Sequence, residues 1–221
     1  MRNTITTILL LLVMIAAPAL GQTSKTCTMN NFDFTYTNGG VTLKYKGVTV
    51  IRKSSLYVVT PGWTRLLFGH HLENHTITSE EIPGGKLVKV AMKNDTFSAT
   101  YNVTMLESDE VTIDLRYRLL KDEPAEIEYC LGYFSAPLIA DCAFESDTVE
   151  GRKTGTVPYA AKSSDQRESM LVPPFHRLKI DSRLGPMELT ITGDNKDLVI
   201  FDARRDSQAW AKESPIFWCG L

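Results

Sequence analysis

Residues 97–119 read FSATYNVTMLESDEVTIDLRYRL, and this stretch decides the fold class. Apolar and polar side chains alternate from Phe97 to Met105 and again from Val111 to Leu119. Because successive side chains of a β-strand point to opposite faces, each half predicts a strand with one buried and one solvated face. The polar residues 107–110 between the halves predict a turn, so the stretch is typical of an antiparallel hairpin.

Similar but shorter patterns extend in both directions from this hairpin. Glycine, proline and asparagine clusters such as Asn38-Gly39-Gly40 and Pro83-Gly84-Gly85 supply the turns between them. About a dozen strands at hairpin spacing predict an all-β fold, either an antiparallel two-sheet sandwich or a larger, curved sandwich. The further predicted strands are Phe32–Tyr36, Val41–Tyr45, Val48–Arg52, Leu56–Thr60, Leu87–Met92, Ile127–Phe134, Leu138–Phe144, Leu178–Ile180, Met187–Thr192 and Leu198–Phe201.

The N-terminus has the pattern of a secretory signal peptide. Arg2 precedes an apolar run, Ile8–Ala17, and the small residues Ala19 and Gly21 suit a cleavage site. The run is too short to span a bilayer, and no later segment is long and uncharged enough to do so. We therefore expect residues 1–21 to be removed from a protein that is secreted or periplasmic and has no membrane span.

The rest of the chain, residues 22–221, is long enough for one well-buried domain. Residues 151–174 show little apolar periodicity and predict a long surface loop, which is uncommon in compact domains and often functional. Near the C-terminus, Asp206–Ser214 suits a short helix.

Charge argues against nucleic acid as a partner. The net charge is −2, both signs are interspersed, and no run of lysine and arginine is present that would neutralise a row of phosphates.

Four cysteines follow the signal peptide. In an oxidising compartment an even number suggests two disulfides, for which three pairings exist. Cys130 and Cys142 are symmetric about Ala136, so a hairpin turning there would place them opposite each other and leave Cys27 to join Cys219. The alternative is four buried thiols that form no bond.

Common catalytic motifs are absent from the sequence, including the nucleophile elbow G-x-S-x-G, H-E-x-x-H, the P-loop and G-x-G-x-x-G. If residues 70–75 are extended, His71, Glu73 and His75 project to one side, and two imidazoles with a carboxylate are a known zinc or iron ligand set. A solvated polar loop explains these residues better, because three ligands this close in sequence rarely converge. We expect neither a metal nor a cofactor.

Exposed aromatic residues are the usual physical basis of sugar binding, because the apolar face of a sugar stacks on a ring. Trp63, which follows Pro61-Gly62, is the best placed, and Tyr57 is a second candidate. His71, Glu73 and His176 are the polar residues that could complete a carbohydrate site. Weaker aromatic candidates are Tyr159 and Trp210, whereas Trp218, beside Cys219, is most simply explained by core packing.

Two parts of the chain resemble a known type of module. The segment 127–138, IEYCLGYFSAPL, and the residues Phe201–Arg205 and Pro215–Trp218 are similar to N-terminal β modules of secreted bacterial glycoside-hydrolase-like proteins. In those proteins a large galactose-mutarotase-like sandwich precedes a catalytic barrel and helps to present the carbohydrate. The resemblance implies a mutarotase-like supersandwich. It carries over no catalytic residue, because the acid and the nucleophile of that family lie in the barrel.

These observations favour a secreted, non-catalytic carbohydrate-associated module that is accessory to a catalytic domain or chain of a glycoside hydrolase. One alternative is a carbohydrate-active enzyme, such as an epimerase, lyase or hydrolase, with its site in a sheet concavity. That enzyme would need a histidine and a carboxylate to converge, and the residues to inspect are His71, Glu73, Asp141 and His176. A second alternative is a structural extracellular domain.

Overall fold

The computed structural model describes residues 24–37, 40–70, 75–160, 169–193, 198–204 and 216–220. Nearly all of the described chain is β-strand, arranged as two antiparallel sheets that form a sandwich, which confirms the predicted fold class. No helix among these residues is long and apolar enough to span a membrane. The elements are β1 Lys25–Met29, β2 Phe32–Thr37, β3 Gly40–Tyr45, β4 Val48–Val59, β5 Leu66–Gly69, β6 His75–Ile82, β7 Gly85–Lys93, β8 Phe97–Leu106, β9 Val111–Leu119, β10 Glu126–Ser135, α1 Ala136–Ile139, β11 Ala143–Thr148, β12 Gly151–Thr156, β13 Ser169–Ser182, β14 Gly185–Thr190, β15 Leu198–Asp202 and β16 Ile216–Gly220.

The smaller sheet is a four-stranded meander in the order β6-β7-β8-β9. Its last two strands are the predicted hairpin, with Phe97 opposite Leu119 and Met105 opposite Val111. The turn is closed by Leu106, whose N–H donates to the carbonyl oxygen of Glu110 at 2.9 Å. The period-two pattern of residues 97–119 therefore predicted both the strands and their pairing.

The larger sheet has twelve strands, ten of which follow one another in the order β1-β2-β3-β4-β10-β16-β15-β13-β11-β12. The two others lie off this path, with β5 on β4 and β14 on β13. All pairings are antiparallel. Strands β4 and β10, which are far apart in sequence, are direct neighbours and form the widest contact between two parts of the chain.

The core lies between the two sheets. Phe34 and Leu56 of the large sheet and Phe97 and Tyr101 of the small sheet are all completely buried. Burying one such side chain contributes roughly 1.5–3 kcal/mol, so this layer provides much of the driving force for folding.

One long strand, β4, replaces the two predicted strands Val48–Arg52 and Leu56–Thr60. Lys53 adopts a left-handed conformation with φ of +55° inside it. The pairing of β4 with β10 is interrupted at the same place, between Ser55 and Arg52. An irregularity of this kind changes the phase of the side-chain alternation, which is why the sequence pattern divided the strand.

The predicted hairpin around Ala136 is wrong. The chain instead forms a helical turn, α1, and β11 begins only at Ala143, where it pairs with β12 and β13 and not with β10. Pro137 favours this outcome, because proline suits the first turn of a helix and cannot donate a hydrogen bond within a sheet. Cys130 and Cys142 consequently lie on elements that do not pair.

The two predicted disulfides are also wrong, since all four cysteines are within the described residues and none is bonded. Cys27 lies on β1 and Cys219 on β16, with β2, β3, β4 and β10 between them. Neighbouring strands are about 4.8 Å apart, whereas a disulfide requires Cα atoms within about 7 Å. The four cysteines are buried thiols, which was the alternative left open by the sequence.

The region predicted as a loop, residues 151–174, contains regular structure at both ends. Residues Gly151–Thr156 form β12 and β13 begins at Ser169. All six residues of β12 are exposed, so this edge strand has no apolar alternation that a sequence pattern would show. Residues 161–168, and the predicted helix Asp206–Ser214, lie outside the described residues.

Candidate functional site

A group of aromatic and charged side chains shares the outer face of the neighbouring strands β4 and β10. Tyr57 lies directly opposite Glu128, and Arg52 lies directly opposite Tyr133. Directly opposed residues of an antiparallel pair project to the same face, and Tyr133 is close enough to Tyr57 and Glu128 for both to influence its pKa, which joins the two pairs. The alternate residues Leu56 and Val58 are completely buried on the other face, against the small sheet. We call Arg52, Tyr57, Trp63, Glu128 and Tyr133 the aromatic face.

Trp63 is the most exposed member of the aromatic face, with 54% of its surface accessible. It ends the 3-10 turn Pro61–Trp63, which follows β4. Its ring centroid lies 6.1 Å from that of Tyr57, and the two ring planes are inclined by 48°. On the far side of Tyr57, the opposing residue of β5 is Gly69, which has no side chain. The two rings therefore form an open apolar surface.

The backbone at Trp63 is strained. Gly62 and Trp63 both have positive φ, of 71° and 59°, and a bulky non-glycine residue is rarely found in that conformation. Such strain persists only where surrounding contacts hold it, and it concentrates at binding and catalytic sites. The Trp63 N–H donates to the carbonyl oxygen of Thr60 at 3.0 Å, and the Thr60 N–H donates to that of Arg65 at 2.9 Å. These bonds hold the backbone of the turn that carries the indole.

The polar groups of the face are arranged around the rings. Partial burial raises the pKa of Tyr57, and burial together with the nearby Cys130 raises the pKa of Tyr133. Both phenols are therefore neutral at physiological pH and can donate as well as accept hydrogen bonds. The carboxylate of Glu128 adds an acceptor next to Tyr57, and the guanidinium of Arg52 adds donors next to Tyr133. Rings flanked by such groups suit a ligand with apolar faces and many hydroxyls.

The structure brings together two of the predicted site residues, Trp63 and Tyr57. His176 is exposed on β13, and β16 and β15 separate that strand from β10, so His176 is not part of the aromatic face. Tyr159 is 75% exposed and follows β12, on another part of the large sheet. The predicted residues His71, Glu73 and Trp210 lie outside the described residues, as does the side chain of Trp218.

Sequence reasoning missed Arg52, Glu128 and Tyr133 as site residues. Glu128 is recognisable as an outward-facing strand position, but its nearness to Tyr57 depends on the pairing of β4 with β10. Roughly 70 residues separate these strands, so no local pattern shows their register.

A second cluster of polar rings lies between the two sheets. Tyr36 and His70 come from the large sheet, and His75 and Tyr101 come from the small sheet. The ring centroids of Tyr36 and His75 are 5.2 Å apart, and that of His70 is 5.8 Å from each of them. The Tyr101 hydroxyl is hydrogen-bonded to the hydroxyl of Ser54 at 2.7 Å. We call Tyr36, His70, His75 and Tyr101 the inter-sheet cluster.

Several polar atoms of the inter-sheet cluster are buried without a hydrogen bond to the described residues, namely the hydroxyl of Tyr36 and both ring nitrogens of His75. Burial lowers the pKa of His75, raises the pKa of Tyr36, and raises that of Tyr101 to about 12. These three rings are consequently neutral at pH 7.

The inter-sheet cluster is a poor metal site. His70 Nδ1 accepts a hydrogen bond from the Leu56 N–H at 2.8 Å, which places the imidazole proton on Nε2 and removes the lone pair that a metal would need. Among the described residues there is no group of three or more histidine, cysteine, aspartate or glutamate side chains suited to a metal ion.

Of the four residues of the enzyme hypothesis, the two that the structure describes, Asp141 and His176, are far apart. Asp141 follows α1, and the neighbouring Leu138 accepts a hydrogen bond from the Arg183 N–H, just beyond the end of β13, at 3.0 Å. His176 lies seven residues before Arg183 in sequence, and an extended chain covers roughly 23 Å over that length. Asp141 and His176 therefore do not form one site.

Comparisons of the chain with protein-family models, with curated proteins and with solved structures found no match.

Proposed function

We propose that this chain is an exported carbohydrate-binding β-sandwich module. The glycan would stack on Trp63 and Tyr57 and form hydrogen bonds with Glu128, Tyr133 and Arg52. The observation that carries the proposal is a strained, exposed tryptophan next to a tyrosine, on a sheet face that also has a carboxylate and a guanidinium.

Sugar chemistry supports this choice of ligand. Each pyranose has an apolar C–H face that stacks on an aromatic ring and a rim of hydroxyls that needs both donors and acceptors. The aromatic face contains three aromatic rings, two of them phenols, together with one carboxylate and one guanidinium. The Trp63 backbone holds the indole in the open, so little conformational entropy would be lost when a ligand binds.

We further propose that the module acts next to a catalytic domain or partner chain outside the cell. The signal-peptide pattern of residues 1–21 and the resemblance to modules that precede glycoside-hydrolase barrels support this part of the proposal. The separation of Asp141 from His176 favours binding over catalysis, since the described residues of the enzyme hypothesis do not converge.

The test is to incubate residues 22–221 with a panel of insoluble and soluble polysaccharides. Retention on each polysaccharide and release of sugar into the supernatant are measured together. We expect retention on at least one polysaccharide without released product.

Trp63→Ala should weaken that retention by about tenfold or more, which corresponds to about 1.4 kcal/mol of binding free energy. Tyr159→Ala is the matched control, because Tyr159 is a more exposed aromatic residue outside the aromatic face. Its substitution should leave retention unchanged.

Released product would instead support the enzyme hypothesis. Equal losses in the two variants, or no retention on any polysaccharide, would overturn the proposed site.

A further inference from the structure

The outermost strand of the small sheet, β9, has one edge that no strand of the described residues pairs. It pairs with β8, and within the described part of the chain no strand pairs with its other side. Its nine residues contain neither proline nor glycine, and its register with β8 is unbroken. Natural proteins usually protect such edges with prolines, bulges, short strands, charged side chains or a covering segment, because the row of N–H and C=O groups is a template for another strand. Within the described residues, β9 has only the charged side chains among these devices.

The two faces of β9 have different chemistry. The row toward the large sheet is apolar and incompletely covered, with Tyr117 41% and Leu119 37% exposed. The opposite row carries Asp114 and Arg116, which form an exposed ion pair of 3.0 Å along the strand. The strand therefore presents an apolar row, a charged row and an edge that no strand of the described residues pairs.

The sequence of β9 is complementary to itself when two copies run antiparallel. If a two-fold axis passes at Leu115, Asp114 of each copy lies opposite Arg116 of the other. On the apolar row, the same register places Ile113 opposite Tyr117. The remaining cross-strand pairs of this register are Leu115 with Leu115, Val111 with Leu119, and Thr112 with Arg118.

Neighbouring registers are less favourable. Because paired residues must project to the same face, the two-fold axis can move only to another residue position. An axis at Asp114 places the two Asp114 carboxylates opposite each other, and an axis at Arg116 does the same with the two Arg116 guanidinium groups. Like charges directly opposite are destabilising, so charge selects the register centred on Leu115.

We propose that β9 is a homodimerisation edge, and that a second copy of this chain adds its own β9 in the register centred on Leu115. The two four-stranded sheets then form one continuous eight-stranded sheet across a two-fold axis. The interface is isologous, since the same residues contribute from both copies.

The experiment is sedimentation velocity of residues 22–221 over a wide range of protein concentration. The wild type should show a monomer–dimer equilibrium. Arg116→Asp puts a second carboxylate opposite Asp114 at two places in each dimer, and the dissociation constant should rise by about tenfold or more. The double variant Asp114→Arg/Arg116→Asp restores both opposite-charge pairs and should restore dimerisation.

Thr78→Asp is the matched control, because it adds a charge to β6, the strand at the other edge of the same sheet. It should leave the equilibrium unchanged. A wild type that stays monomeric at all concentrations, or a double variant that dissociates as readily as Arg116→Asp, would overturn the proposal. Far-ultraviolet circular dichroism of each variant shows that the fold is retained.

Discussion

At the scale of single residues, two groups of side chains have opposite environments. The aromatic face holds its most exposed ring, Trp63, in solvent by means of a strained backbone. The inter-sheet cluster instead holds two imidazoles and two phenols between the sheets and leaves polar atoms without hydrogen bonds to the described residues. Both arrangements cost stability, and only the first offers a ligand direct access. For this reason we place the binding function on the outer face.

The inter-sheet cluster predicts a loss of stability in acid. Burial lowers the pKa of His75 below its ordinary value of 6.5, so the unfolded chain binds more protons than the folded one as the pH falls below that value. The contribution of neutral His75 is thus fully present above about pH 6.5 and is lost as the pH falls toward its folded-state pKa. The neighbouring rings are Tyr36, His70 and Tyr101, none of which carries a negative charge that would stabilise the imidazolium.

The measurement is urea unfolding between about pH 7.5 and about pH 5, a window that spans the ordinary histidine pKa. The free energy of unfolding should fall with pH in the wild type and less steeply in His75→Gln. His176→Gln is the matched control, because His176 is exposed. The free energy of unfolding of this variant should depend on pH in the same way as that of the wild type. Identical slopes in all three proteins would contradict the role assigned to His75.

The sequence predicted two residues of the aromatic face, Trp63 and Tyr57. The Pro61-Gly62 turn marked Trp63 as exposed, and the structure places its ring next to Tyr57. Glu128 and Tyr133 escaped detection because their place in the site depends on strand pairing over a long sequence distance. A local pattern gives the face on which a side chain lies, but not the strand beside it.

At the scale of elements, a buried ion pair lies at the end of β15, and its arginine also binds the segment after β12. Arg204 forms a bidentate pair with Asp202, with hydrogen bonds of 2.8 and 2.7 Å, and both side chains are almost fully buried. The same guanidinium donates to the carbonyl oxygens of Tyr159 and Pro158 at 2.6 and 3.0 Å, and it lies over the ring of Phe217. Arg204 thereby connects β15, β16 and residues 158–159.

Arg204→Ala should lower the free energy of unfolding by about 3–5 kcal/mol, because it leaves Asp202 buried without its partner. Arg65→Ala is the matched control. Arg65 also pairs with a carboxylate, that of Glu123 at 2.6 Å, but its side chain is 63% exposed, so the loss there should be at most about 1 kcal/mol. Denaturant unfolding measures both values. Equal losses would contradict the structural role of Arg204.

The success of each predicted element depended on the alternation of apolar and polar residues in its sequence. β8 and β9 have regular alternation and were predicted with their turn. β12 has no buried side chain, so its sequence predicts a loop. α1 replaces part of a predicted strand, because residues 136–139 are apolar without alternation. The two disulfides failed for the same reason, since their pairing was based on a hairpin that the chain does not form.

At the scale of the whole molecule, the aromatic face and the β9 edge belong to different sheets. They share no residue, so ligand binding and pairing of two copies are compatible. A dimer would present two aromatic faces, and binding both to one polysaccharide would increase the apparent affinity without any new contact. The sandwich thus places the proposed ligand surface and the proposed assembly edge on different sheets.

The most direct test of the central claim is the accessibility of Trp63 when polysaccharide is bound. Acrylamide quenching of tryptophan fluorescence is measured with and without the polysaccharide that retains the protein. Because Trp63 is 54% exposed, bound polysaccharide should reduce quenching in the wild type, while Trp63→Ala should show no such protection. Polysaccharide binding that leaves the quenching of the wild type unchanged would contradict the placement of the glycan on the aromatic face.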